Sequence, residues 1–340
     1  MKAQNNNRPA LPDVYFDPAY GRLYETIEQG VCETFSYSDE NGAVQNVYIK
    51  RAIPWLVDGV QYFDIITPYG YGGPVVLHAT GREKLLDVYW QAWTAHCHQA
   101  RIVCEFVRFH PLVRNHLDFG VPYAAAYNRN TLAIELTDDF EATEFTSKCR
   151  NAIRKAEKLG VVCTVDEACA SVDTFCALYH KTMAKDVAEA YYFFSLDYFH
   201  AMREALAGRL VLINALLDGK TIASSLFMLS EGYMHYHLSA TDSDYYGYAA
   251  NNLILKAAAS YGAKTVRQWL HLGGGLTASE ADNLFKFKRS FARGEKNLKE
   301  FWTGRAIYDE TVYSRIVGLR RGQGDFDGET RFFPAYRASL

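Results

Sequence analysis

The chain has 340 residues, of which 49% are hydrophobic and 22% charged, with a formal net charge of −3. That length and balance suit a soluble globule of one large or two medium domains. The charge excludes a global field drawing the protein to nucleic acid or an anionic membrane, and leaves room only for a local basic patch.

The seven cysteines form no CxxC or other zinc spacing, and there is no HExxH. They read as free thiols, and no metal site is expected. The N-terminus, MKAQNNNRPALPD, lacks the apolar core of a secretory signal. No apolar run approaches the roughly 20 residues that span a bilayer, so a cytoplasmic protein without an integral membrane segment is expected.

In chain order, residues 1–13 are polar with two prolines and read as an extended arm. Apolar runs at 47–57 and 60–66 flank Asp58-Gly59, a hairpin signal. TPYGYGGP, residues 67–74, is a shaped loop from which Tyr69 and Tyr71 would project. Over 83–98, Leu85, Leu86, Tyr89, Trp90 and Trp93 recur at helical spacing. Strands follow at 101–108 and 131–136.

Residues 147–159 predict a helix capped by Ser147 and ended by Gly160. Ile153, Ala156 and Leu159 share one face. Lys148, Arg150, Arg154, Lys155 and Lys158 crowd the rest against a single acid, Glu157. This is either a solvated face or one that meets an anion.

A strand at 161–165 precedes helices at 171–183 and 195–208. Strands at 209–217, 220–230 and 233–240 form a meander on the turns Asp218-Gly219 and Glu231-Gly232. A small-residue helix, 249–261, is closed by Gly262. A strand at 265–271 runs into Gly273, Gly274 and Gly275, and the basic aromatic segment DNLFKFKRSF follows. Strand, two helices, three antiparallel strands, helix, strand is the layout of a GNAT-type acyltransferase domain. The first half is a looser copy of it. The expected fold class is therefore α+β, as two tandem GNAT-like domains, each a mixed, mostly antiparallel sheet flanked by helices. Residues 1–145 would be the degenerate, acceptor-side copy and 146–340 the acyltransferase domain.

Aminolysis of an activated ester or thioester needs a neutral amine, a stabilised oxyanion and two reactants held in line. No GxSxG elbow and no Cys–His arrangement offers a covalent nucleophile. Lys288 is the electrostatic candidate, because a compact ammonium can sit against a phosphate or a developing oxyanion. The alternative is a surface lysine in a basic run. His235 and His237 alternate on one side of a strand and are candidate general bases or satisfied core histidines. His271 stands at a strand end with the same two readings. Gly273 and Gly274 let a ligand approach bare backbone. Asn252 opens a helix, where it can bind a ligand or simply cap. In the first domain the candidates are Tyr69, Tyr71 and Arg108, the last able to pair bidentately with phosphate or carboxylate. GYAANN is a poor fit to the GNAT acetyl-CoA loop, Q/R-x-x-G-x-G/A.

TPYGYGGP, FVRFHPL, CRNAIRKAEKLGV, YHLSAT, HLGGG and DNLFKFKRSF followed by FWTGRAIYDETVY occur here in that order. Together they resemble the Fem-type (FemABX) aminoacyltransferases, which build peptidoglycan interpeptide bridges, and related GNAT-like acetyltransferases of envelope loci. The resemblance implies transfer of an acyl group to an amine of a nucleotide- or lipid-linked precursor. It implies aminoacyl-tRNA as donor and no tightly bound cofactor, with tRNA a partner and DNA not. It assigns acceptor phosphates to Arg154, with Arg150 in the same helix, and donor handling and catalysis to the pair Phe287 and Lys288. The long helical arm of some members has no counterpart. Two other functions fit the residues: acyl-CoA-dependent N-acyl transfer to a nucleotide-linked amino sugar or small amine, and a non-catalytic module that binds such a ligand.

Overall fold

A computed structural model of the protein describes residues 11–185, 190–265, 267–322 and 330–338. Residues 1–10 of the expected arm lie outside it. Asp13 is already committed: it is buried, and its side chain accepts from the Tyr15 amide to cap a turn over Val14–Phe16.

The elements then run as follows. Two short helices, α1 (Pro18–Arg22) and α2 (Glu25–Glu28), lead into a long hairpin of β1 (Gly30–Asp39) and β2 (Gly42–Ala52). β3 (Phe63–Ile66) pairs back on β2. The expected turn between them has φ of 52° at Asp58 and 75° at Gly59, as a two-residue primed turn requires. β4 (Val75–Ala79) and α3 (Arg82–Gln99) follow. α3 buries Leu85, Tyr89, Trp93 and Cys97, one face at i, i+4 spacing. Next come β5 (Ile102–Arg108), α4 (His116–Phe119), β6 (Ala126–Glu135) and α5 (Phe140–Thr143).

α6 (Ser147–Lys158) is the expected basic helix. Its cap is Thr146, whose hydroxyl accepts from the Cys149 amide, and not Ser147. β7 (Val162–Asp166), α7 (Val172–Lys185), α8 (Leu196–Ala205), β8 (Leu210–Leu217), β9 (Lys220–Leu229) and β10 (Tyr233–Thr241) come next. α9 (Ala250–Lys264) runs through Gly262 instead of stopping there, because a glycine inside a helix costs only about 1 kcal/mol and packing overrides it. β11 (Trp269–Gly273), α10 (Asn283–Arg289), β12 (Leu298–Ile307) and α11 (Glu310–Arg321) complete the chain.

The chain divides into two compact units, Met1–Asn128 with Phe301–Leu340, and Arg129–Glu300. This differs from one cut at residue 145. Residues 303–307 of β12 pair with β5, so the C-terminal segment returns to the first unit. In the first unit the strand order is β1-β2-β3-β5-β12, with β4 beside β2 and β3 parallel to β5. In the second it is β6-β11-β10-β9-β8-β7, antiparallel except for the parallel pair β10/β11. Each is the mixed, mostly antiparallel sheet that the sequence predicts. The second unit's core lies between this sheet and helices α6 and α9, through Ile153, Val211, Phe227, Ile254 and Leu270. Among the described residues no helix is long and apolar enough to cross a membrane.

Candidate active site

In the second unit the regular pairing of the sheet is interrupted at the ends of β10 and β11. β10 and β11 pair over Tyr233↔Trp269, Met234↔Leu270 and His235↔His271, and their pairing ends there. Just beyond, β10 shifts register on β9 between Tyr236 and Leu238. β11 shifts on β6 between His271 and Gly273. Two adjacent parallel strands thus leave the ladder at the same level, and a bulge re-aims side chains where pairing stops.

Lys288 occupies that level. Its Nζ donates to the Gly274 carbonyl at 2.7 Å and lies 5.8 Å from the Tyr236 ring centre. The side chain joins the end of β11 to β10. It reaches there because DNLFKFKR is a helix, capped by Asp282, whose side chain accepts from the Phe285 amide at 2.9 Å. Helical spacing turns Phe285 and Lys288 inward, three residues apart, and leaves Lys286 exposed. Lys288 is 8% exposed. Burial pulls its pKa down to about 8, opposed by the Asp282 carboxylate.

The glycines serve this packing first. Gly273 has φ of +71°, and a Cβ on Gly275 would stand 2.6 Å from Asp282 Oδ1. The Gly274 carbonyl is bound by Lys288, so the cluster seats α10 as well as exposing backbone.

Beneath lies a histidine chain. His271 is 2% exposed and His235 1%. Their Nδ1 atoms are 3.4 Å apart, and His271 Nε2 is 2.9 Å from Thr131 Oγ1. The Thr131 hydroxyl donates to the Lys299 carbonyl at 3.1 Å. It must therefore accept from His271 Nε2–H. Both rings are held within the protein as supports. His237 sits at the bulge. Burial, reinforced by His235, pushes its pKa down to about 3. A base four units below neutral is poorly matched to proton abstraction at pH 7.

The other candidates scatter. Phe287 packs edge-to-face on Phe291, ring centres 5.4 Å apart. Arg150 donates from one nitrogen to the carbonyls of Phe145 and Glu141. Arg154 is exposed and bonds Asn151 Oδ1 at 2.6 Å. Asn252 does not cap α9, whose N-cap is Ala249, and is half-buried. It bonds the Cys149 side chain on α6. In the first unit Tyr69 and Tyr71 do not project. Tyr71 packs edge-to-face on Tyr15, His110 and Phe301, and the Tyr69 carbonyl accepts from Tyr20 Oη at 2.7 Å. Arg108 lies at the end of β5, where one N–H bonds the Thr67 carbonyl at 3.0 Å. All seven cysteines are free thiols, and burial raises the pKa of every one.

Sequence reasoning missed Tyr236, Thr131 and Asp282. Asp282 carried a readable signal, an Asx cap ahead of a seven-residue helix. Thr131 carried none, since its partner His271 is 140 residues away.

Residues 144–289 match the Acetyltransferase (GNAT) domain. That stretch contains β10, β11 and α10. The crystal structure of FemX matches at a TM-score of 0.69 and 11% identity, covering 90% of this chain and 95% of that one. The C-terminal domain of a protein described as a lysylphosphatidylglycerol synthetase from Agrobacterium fabrum matches at 0.55 and 11% identity, over 88% and 93% of the two chains. A conserved protein of unknown function from Bacteroides thetaiotaomicron matches at 0.55 and 15% identity, over 86% and 92%. No curated protein matches in sequence. The protein is a GNAT-fold acyltransferase. Within that class, the chain shares the fold of FemX.

Proposed function

We infer that the protein moves an aminoacyl or other acyl group onto an amine of a nucleotide- or lipid-linked envelope precursor, by direct aminolysis at the parted ends of β10 and β11. The observation that carries the reading is Lys288, a buried cation beside the Gly274 backbone where two strands separate. The amine nitrogen attacks the acyl carbon, and the carbonyl oxygen takes up negative charge. The Lys288 ammonium meets that charge, and the leaving oxygen departs with the proton the amine gives up. A preorganised donor of this kind contributes about 3–4 kcal/mol to the barrier. The raised thiol pKa values support a route without a covalent enzyme intermediate.

An aminoacyl ester is favoured over acyl-CoA as donor by the segment leading into α9. It is a short turn, Ser243–Tyr248, carrying Asp244 and preceded by Asp242. A pyrophosphate laid on it would meet carboxylates. Asp242 is held below the usual carboxylate range, chiefly by the Asp244 amide and Lys220, and so stays charged. Arg154 on α6 is the assigned acceptor-phosphate contact, being the exposed guanidinium of that helix.

The test offers aminoacyl-tRNA, acetyl-CoA and a longer acyl-CoA in parallel, with a UDP-linked muropeptide as amine. Product from aminoacyl-tRNA alone is expected. Saturable turnover with acyl-CoA and none with tRNA establishes the acyl-CoA reading instead. Binding of the precursor without product from any donor establishes the non-catalytic one.

A further inference from the structure

We propose that the first unit carries a docking groove, between α3 and the segment around α4, for a cationic and apolar peptide segment of a partner protein. The proposal does not rest on the acyl-transfer reading and uses none of its residues.

Glu83, Leu86, Asp87 and Trp90 recur at i, i+3, i+4 and i+7 along α3, so they form one stripe. It is not the stripe that meets the core, which is Leu85, Tyr89, Trp93 and Cys97. The outer stripe walls a cavity of about 570 Å³, whose opposite wall is Phe119, Val121 and Pro122. Val121 is 93% exposed, and Leu117 of the same segment 65%. Trp90 is half-buried and fixed from behind. Its ring lies 5.2 Å from Tyr123 and 6.2 Å from Tyr308, and both of those hydroxyls bond the buried Glu105. A fixed indole is the best aromatic partner for an ammonium group.

The charges do not cancel. Three carboxylates and no Lys, Arg or His line the groove. Asp118 is matched, since Arg82 holds it through two bonds of 2.8 and 2.6 Å. Glu83 and Asp87 are exposed and make no hydrogen bond or ion pair among the described residues. Lys84, between them in sequence, pairs with Glu40 at 3.6 Å. Like charges one turn apart on a helix repel. A partner's cations placed there would relieve a repulsion that the free chain carries. A metal ion would satisfy the carboxylates and leave the apolar wall unused.

The spacing suits an extended peptide. Residues four apart on a helix stand about 5–6 Å from each other. In an extended chain, side chains two residues apart point the same way at about 6.6 Å, so a Lys-x-Lys run matches Glu83 and Asp87. The lysine stems can lie along Leu86 and Trp90. The alternate side chains turn to the opposite wall, which is apolar. The stripe from Glu83 to Gln91 is about 12 Å long, room for about four extended residues.

The full chain is titrated, by fluorescence anisotropy, with labelled acetyl-Lys-Leu-Lys-Leu-amide and with the Glu-Leu-Glu-Leu and Lys-Ser-Lys-Ser equivalents. Saturable binding of the first is expected, at least about tenfold tighter than either control and weakened by salt. Glu83→Gln with Asp87→Asn should weaken it at least about tenfold and flatten the salt dependence. The melting temperature should not fall, because the pair repels. Val121→Lys, at a position the core does not use, should weaken it about fivefold and serves if the double variant does not fold. Acyl transfer should be unchanged in all these variants, so a failure here and a failure of the acyl-transfer reading are told apart. Equal binding of Lys-Ser-Lys-Ser would mean charge attraction alone and overturns the groove. Butylamine competing at the peptide's own concentration overturns a peptide partner. Self-association of the chain in sedimentation, abolished by the double variant, would place a second copy there and also overturns it. So does peptide binding that does not saturate, or that is equal in wild type and variants.

Discussion

The two units share a plan and differ where it counts. In each, a parallel strand pair lies beside one antiparallel neighbour: β10/β11 with β6, and β3/β5 with β12. In the second unit the parallel pairing stops at His235/His271, and a buried lysine enters at that level. In the first unit the backbone closes the same point. The Thr67 amide bonds the Phe106 carbonyl, the Gly72 amide bonds the Arg108 carbonyl, and the loop TPYGYGGP packs its tyrosines inward. A sheet that is zipped shut offers no backbone to a substrate. On the proposed reading, the same strand order supports chemistry in one unit and packing in the other. This gives a physical meaning to the first half being a looser copy.

Lys288→Ala attacks the open side of that comparison most directly. It should cut kcat for acyl transfer by about 10²–10³-fold, the loss of one preorganised donor. Far-UV circular dichroism should be unchanged. Turnover at the wild-type rate would mean the parted strands are not the site.

Stability should follow the same lysine. Its folded pKa is lowered, so the charged form is disfavoured in the fold, and the cost is present below about pH 8 and relieved as pH rises towards its unfolded value. Wild type should therefore gain about 2–3 kcal/mol relative to Lys288→Met between pH 7 and 10, read from denaturant midpoints. A gap between the two proteins that does not move with pH would show that the lysine is not buried as charge.

Gly275→Ala tests the seat of α10. The new methyl would press on Asp282 Oδ1 and Phe285 Cβ. We expect a loss of about 1–3 kcal/mol of stability and a reduced kcat, since Lys288 is carried on that helix. In the closed unit, Tyr71→Leu removes edge-to-face contacts. It should cost about 1–2 kcal/mol of stability and leave kcat unaltered. A kcat effect there as large as that of Gly275→Ala would erase the distinction between the units. The smallest effect is expected at His237. With its pKa near 3 it stays neutral across the working range. His237→Gln should therefore leave the shape of the pH profile between 5 and 8 in place, and a vanished ascending limb would restore it as the base.

Most of this architecture was legible in the sequence, because it is written in local signals. Alternating apolar residues and two-residue turns place the β8–β10 meander, and the helical spacing of Leu85, Tyr89 and Trp93 places α3. The hidden parts are those fixed at a distance. That β12 returns to the first unit depends on pairing with β5, nearly 200 residues earlier. The histidine chain depends on Thr131, and the burial of Lys288 depends on α10 docking against the glycines. A run such as FKFKR reads as solvated charge until the helix turns one of its lysines inward. The tyrosines of TPYGYGGP misled for the same reason, since a loop rich in glycine says where the chain bends and not which way its rings face.

The pH dependence of kcat/KM for acyl transfer, in wild type and in Lys288→Arg, tests the central claim most directly. If the Lys288 ammonium stabilises the oxyanion, wild-type activity falls as pH rises through about 8, where the charge is lost. In Lys288→Arg, whose guanidinium stays charged, that descending limb should be absent at whatever residual rate remains. The same limb in both proteins, or none in wild type, would contradict the assignment.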